Sequence, residues 1–268
     1  MRKNIALAVV LLASSLAFCR ASTGAPSHPA ELGVPVVHLV YLAPNNRPLN
    51  LQYQAAVANA GVIVQHWLWH QLGGRTVTFA KPMMETFRTH HGADWYSNHK
   101  PSGPPTYWDQ WGAAQGYPVQ TWWYQENVEA DAAALAHAHR NDPHNAWIIL
   151  IDAPYGDGQL NGSTGGLGIL TNRDLAAMIG ESDSPNPDEQ SACSGVGGLA
   201  LYLSYALGAV SQFNFRAFPN CSLGAANRAA LIASPFIRSV RLKGAAIDCA
   251  KQPLGKIYGG RSKTRGAE

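Results

Sequence analysis

Residues 197–211 read GGLALYLSYALGAVS, and the reading of this stretch decides the fold. From about Val196 to Leu207 every residue is Gly, Ala, Leu, Val, Ser or Tyr, with no charge, so the segment reads as a helix buried on all sides. Gly208 follows as the residue that lets the chain leave that helix sharply. Leu201 and Tyr205 stand four apart and share one helical face, with Tyr202 beside them and Ser211 three residues past the glycine. The lead-in, Gly195 to Ala200, matches G-x-G-x-x-A, but the polar stretch before it (185–192) is no strand, so the context of a dinucleotide-binding turn is missing.

Outward from this helix, the chain alternates strands and helices. Val36 to Leu42 is a valine-rich strand, and the turn residues Asn45 to Pro48 end it. Leu51 to Leu72 has helical period: Ala56, Ala60, Ile63, Val64 and Trp67 share one face, and Gly73-Gly74 stops it. Thr76 to Phe79 and Met83 to Arg88 read as short strands. Residues 92–124 are rich in Trp, Tyr, Pro and Gly without period and read as a long ordered loop. Glu126 to Ala138 is an alanine-rich helix, and Ala146 to Ile151 a buried strand ending at Asp152. The glycine-rich run from Gly156 to Gly168 leads to Ile169-Leu170, then to short helices at Asp174 to Ile179 and Ala225 to Ala233. No repeat or interdomain linker interrupts the order.

Charged residues make up 14% of the chain, with 26 Gly and 17 Pro, a composition that suits a loop-rich exported domain. Arg2 and Lys3 precede an apolar run, Ile5 to Phe18, too short for a stable membrane span, and small residues follow from Ala21 to Ala25. This is the pattern of a cleaved secretory signal over residues 1–21. Phe18 is too bulky for the small residue that precedes a lipidated cysteine, which argues against an anchor on Cys19. Removing Arg2, Lys3 and Arg20 with the signal leaves 17 basic against 17 acidic residues, so the basic body of a nucleic-acid binder is absent. Residues 22–35 read as a flexible lead, 36–240 as the domain, and 241–268 as a basic, flexible tail. Of Cys193, Cys221 and Cys249, an exported context pairs two and leaves one thiol, with the pairing open.

These residues, in this order, resemble exported bacterial proteins of the metzincin type. The points of contact are VVHLVYLAP (36–44), QHWLWHQLGG (65–74), AWIILIDA (146–153), GGLGILTNRDLAAMIG (165–180), GVGGLA (195–200) and LIASPFI (231–237). The resemblance implies an α/β fold: a single metzincin-like domain with a mixed β-sheet, a backing helix and a buried motif helix. In the family that helix carries His-Glu-x-x-His-x-x-Gly-x-x-His around zinc. Here Leu201, Tyr205 and Ser211 stand at the three histidines, Tyr202 at the general base and Gly208 at the turn glycine. The family also places a methionine in a turn beneath the metal, and Met178 is the last methionine of this chain. With ligands, base and methionine all replaced, the expectation is a pseudoprotease that needs no cofactor and binds a peptide or protein without cutting it.

Other constellations remain open. His66 and His70, four apart on a helix, have the spacing of metal ligands if His90 or His91 supplies a third, and this would make an active hydrolase. His137 and His139 point to different faces. Asp152, Asp157 and Asn161 offer oxygen ligands to calcium, but not at the regular spacing, and Asp-Gly and Asn-Gly turns explain the same residues. There is no G-x-S-x-G elbow. Trp95, Tyr96, Tyr107, Trp108, Trp111, Tyr117, Trp122, Trp123 and Tyr124 suit either a carbohydrate or cell-surface binding module, if exposed, or the core under a long loop.

Overall fold

A computed structural model describes residues 33–102, 110, 113–114, 116, 120–154, 163–184, 190–242, 248–250 and 254–255. Its centre is a five-stranded sheet made of β1 (Val36–Ala43), β3 (Phe79–Arg88), β4 (Asn145–Ile151), β5 (Ser163–Thr164) and β6 (Leu167–Leu170). Their order across the sheet is β3-β1-β4-β6-β5. All pairings are parallel except that of β5 with β6, so the sheet is mixed. Beside it, β2 (Arg75–Thr76) and β7 (Arg238–Ser239) form a two-stranded antiparallel ribbon. The described residues from Val34 onward form one compact unit, the expected single α/β domain.

Helices cover both faces of the sheet, which is why its central strands are apolar throughout rather than alternating. On β1, Val37, Leu39 and Tyr41 join one core while Val40 and Leu42 join the other; on β4, Ile148 and Leu150 oppose Trp147, Ile149 and Ile151. The first core is closed by α1 (Leu51–Gln71), α4 (Asn172–Ile179) and α5 (Ala192–Ala206). The second lies under α2 (Trp95–Asn98) and α3 (Gln120–Ala136). A last helix, α6 (Ala225–Ala233), follows the 3-10 turn Phe215–Ala217.

The backing helix α1 starts where the Asn50 side chain accepts the amides of Gln52 and Tyr53, at 2.9 and 3.2 Å. Its expected inner face, from Ala56 to Trp67, is buried. Gly61 lets it approach β1 closely: a Cβ there would come within 2.8 Å of Leu39 Cδ1.

Three expectations change. The strand expected at Thr76 to Phe79 is split: Thr76 joins the ribbon and Phe79 opens β3, whose pairing with β1 shifts register between Val37 and Leu39. The shift spans Pro82, which has no N–H for the ladder. Second, α3 begins at Gln120, because Trp123 and Tyr124 extend the alanine-rich helix upstream, and it ends at Ala136, before the positive φ of His137. Third, the stretch 92–124 contains a helical turn, α2. Of the segment 241–268, Cys249 is tied into the core by a disulfide, and the buried Leu254 accepts a 2.8 Å hydrogen bond from Asn59 Nδ2.

Candidate functional site

The motif helix α5 begins at Ser191, whose hydroxyl accepts the amide of Ser194 at 3.1 Å. Its glycines are a packing seam. A Cβ on Gly195 would lie 2.7 Å from the Met178 amide nitrogen of α4, and one on Gly197 would overlap the Phe215 carbonyl. The G-x-G-x-x-A pattern thus serves close helix contact inside α5. Cys193, on the first turn of α5, pairs with Cys249, and buried Cys221 is the free thiol, pushed up to about 11 by burial. The open question of pairing is answered: one bridge, one thiol.

Leu201 is 3% exposed and belongs to the first core, while Tyr202 and Tyr205 are half-buried against it. Gly208 takes φ +107, a conformation that only glycine adopts without strain, and the Ala209 amide closes the helix on the Ser204 carbonyl at 2.9 Å. The chain then meets Asn227 on α6. Its Oδ1 accepts from the amides of Val210 and Ser211, both at 3.0 Å, and from the Ser211 hydroxyl at 3.2 Å. Its Nδ2 donates to the Ser211 carbonyl at 2.7 Å. Asn227 is itself buried, and nothing in the pattern of the short helix singled it out.

Beyond the C-terminal end of α5 opens a cleft of about 500 Å³. Tyr205 and Gly208 border it, as do Asn141, Asp142, the Gly165-Gly166 turn and Phe236. Leu201, Tyr202 and Ser211 are not among the residues that border this cleft. The resemblance implies zinc, and this donor set does not fit it. Leucine has no lone pair, burial raises the Tyr205 phenol so that it stays protonated, and the Ser211 hydroxyl is engaged by Asn227.

Asp142 caps its own turn and ends a chain of polar groups whose longer links no local pattern announces. Its Oδ1 accepts the amides of His144 and Asn145 at 2.7 and 2.9 Å, and its Oδ2 accepts Asn145 Nδ2 at 3.1 Å. Asn145 Oδ1 lies 3.1 Å from His38 Nε2, and His38 Nδ1 lies 2.7 Å from Glu85 Oε1. The chain crosses β4, β1 and β3, with the His38 ring stacked on Trp147 at 5.5 Å. Burial works against the Asp142 charge, but the His144 and Asn145 donors together outweigh it and hold the carboxyl below its ordinary value.

The remaining candidates disperse. His66 and His70 lie on α1, on the first core's side of the sheet, and burial followed by His70 lowers the His66 imidazole. His91 belongs to the opposite side, with Nδ1 3.2 Å from Asp131 Oδ2 of α3, and His90 is exposed. Among the described residues no three His, Cys, Asp or Glu side chains come together as a metal site. Asp152, 8% exposed, accepts from the Tyr41 hydroxyl at 3.4 Å, while Asp157 and Asn161 lie outside the described residues. Of the aromatic stretch, Tyr96 and Tyr124 are fully buried and donate to Asp131 and to the Ala153 carbonyl. Trp95, half-buried, lies flat between His91 at 3.6 Å and His99 at 4.4 Å. Trp123 is half-buried, and Tyr107, Trp108, Trp111, Tyr117 and the Trp122 side chain lie outside the described residues. No helix among the described residues is long and apolar enough to cross a membrane.

No protein-family model and no curated protein matches the chain. Among solved structures it is similar to wild-type OgpA from Akkermansia muciniphila in two crystal forms, at 13% identity, with TM-scores of 0.43 and 0.44 over 76% of this chain. The same similarity, 13% identity and TM-score 0.44, holds for catalytically inactive OgpA in complex with an O-glycopeptide (glycodrosocin) substrate. This chain spans 61–62% of the length of the OgpA chains.

Proposed function

We propose that this chain is an exported metzincin-like pseudoprotease: a folded scaffold that holds a peptide or protein at the cleft beside Tyr205 without cutting it. One observation carries the reading. A buried helix with a glycine exit stands where the resemblance puts the motif helix, while the positions that the family's chemistry would use hold side chains of another kind. Leu201 serves the core, Ser211 serves Asn227, and half-buried Tyr205 borders an open cleft. Metal-water hydrolysis needs lone pairs on one helical face and a carboxylate beside the first of them. Neither is offered here. A cleft with a ring, a carboxylate and a side-chain-free glycine turn suits a chain segment laid along it.

In the same reading, residues 1–21 are a secretory signal and the mature protein begins between about Ser22 and Ser27. The test takes exported, mature protein. N-terminal sequencing is expected to start in that window, elemental analysis to find no stoichiometric zinc, and a broad peptide library to show capture without cleavage. Restoring the four groups at once, with Leu201→His, Tyr202→Glu, Tyr205→His and Ser211→His, is expected to create zinc binding that the parent lacks. Stoichiometric zinc with chelator-sensitive proteolysis in the unmodified protein overturns the reading.

A further inference from the structure

We infer that the cleft beside Tyr205 selects a basic side chain, the guanidinium or ammonium group of an arginine or lysine in the bound peptide, with Asp142 as its counter-charge. The inference rests on the peptide-holding reading and adds the chemistry by which that cleft chooses.

Among the described residues that border the cleft, Asp142 is the one charged side chain. Its anionic form is built in, because the turn it caps supplies N–H donors. A carboxylate offers about four acceptor positions. The His144 and Asn145 amides and Asn145 Nδ2 occupy three of them, two on Oδ1 and one on Oδ2. Oδ2 therefore keeps a lone pair for a further donor. Asn145, held in turn by His38, fixes the carboxylate in place, so a ligand meets a rigid anion.

Among the described residues, the arginine nearest in sequence is already engaged elsewhere. Arg140, two residues away, forms a two-point pair with Glu129, Nε and Nη2 lying 2.7 and 2.9 Å from its oxygens. His144, exposed, is within electrostatic reach of Asp142.

The remaining walls suit a cation with an apolar stem. Half-buried Tyr205 borders the same space, as does Phe236, which itself belongs to the core, and a guanidinium or ammonium placed against an aromatic ring is attracted by its π face. Burial keeps the Tyr205 phenol neutral, so it adds no second charge. Leu207 and Ala209 offer contact to the methylene stem. An acidic side chain would meet like charge, and an apolar one would strip water from Oδ2 without replacing it.

The experiment titrates the mature protein with dye-labelled, acetylated and amidated heptapeptides that differ only at the central residue: arginine, lysine, citrulline or glutamate. Citrulline has the shape of arginine without its charge. The arginine and lysine peptides are expected to bind about tenfold more tightly than the citrulline peptide, with the glutamate peptide weakest. Asp142→Asn, which keeps an acceptor for the turn, should erase the difference between arginine and citrulline. Tyr205→Leu should weaken the arginine peptide and leave Asp142 intact, giving a second variant should Asp142→Asn fail to fold. Equal binding of arginine and citrulline peptides overturns the inference and leaves the peptide-holding reading standing. Discrimination that survives Asp142→Asn also overturns it. Failure of all four peptides to bind removes both.

Discussion

Asp152 ends the central strand in surroundings that disfavour its charge. Burial raises its carboxyl above the ordinary range, and Arg47 and the Tyr41 hydroxyl oppose this without cancelling it. The sign of the consequence follows from proton counting. Between the ordinary value near 3.9 and the raised folded value, the folded protein keeps a proton that the unfolded chain has released. Stability from this site is therefore present below the ordinary value and is lost as pH rises through the raised one. Asp152→Asn cannot titrate. Measured by denaturation, the parent is expected to lose stability relative to this variant as pH rises from about 4 toward neutrality. A parent that gains on the variant over the same window would refute the assignment. Tyr41, above the same carboxylate, is raised by burial first and by Asp152 second. The pair is a neutral donor facing an acceptor, a buried polar contact rather than an ion pair.

At the scale of elements, α5 is defined by how closely its neighbours approach. Gly195 touches α4 and Gly197 touches the 3-10 turn Phe215–Ala217, so two crossings of one helix depend on missing side chains. Isolated propensity favours alanine over glycine in a helix by about 1 kcal/mol. Packing wins here, because backbone atoms cannot step aside. Gly197→Ala is expected to destabilise the domain by about 1–3 kcal/mol, read as a lowered denaturation midpoint. An unchanged midpoint for Gly197→Ala would mean that the seam is not closed. This glycine-rich lead-in was visible in the sequence, but its partners were not: Met178 and Phe215 reach it only through the fold.

For the whole molecule, the bridge between Cys193 and Cys249 spans 56 residues and ties the segment after β7 to the start of the motif helix. A loop of that size restricts the unfolded chain, and removing the bridge with Cys193→Ser and Cys249→Ser is expected to cost about 2–4 kcal/mol. Buried Cys221, with its thiol pushed up to about 11, should resist alkylation in the native protein and react once the chain is unfolded. Peptide mapping without reductant checks both statements. Free thiols at all of Cys193, Cys221 and Cys249, or a bridge that includes Cys221, would contradict them.

The sequence by itself determined the elements whose signals are local. The valine-rich strand at 36, the amphipathic backing helix to Gly73, the buried strand at 146, the final helix at 225 and the uncharged motif helix all announce themselves by period, composition and punctuation. Each rests on side chains a few residues apart. The tertiary structure alone decided what joins distant parts of the chain. It chose Cys249 over Cys221 as the partner of Cys193, gave Ser211 to Asn227, and sent His66 and His91 to opposite faces of the sheet. It also built the chain of Glu85, His38, Asn145 and Asp142, whose members lie 47 and 107 residues apart across its first two links. The physical reason is the same in every case. Spacing along a strand or helix fixes which face a side chain occupies. Which other face it meets depends on strand order and helix crossing, which are set by burial of the whole core.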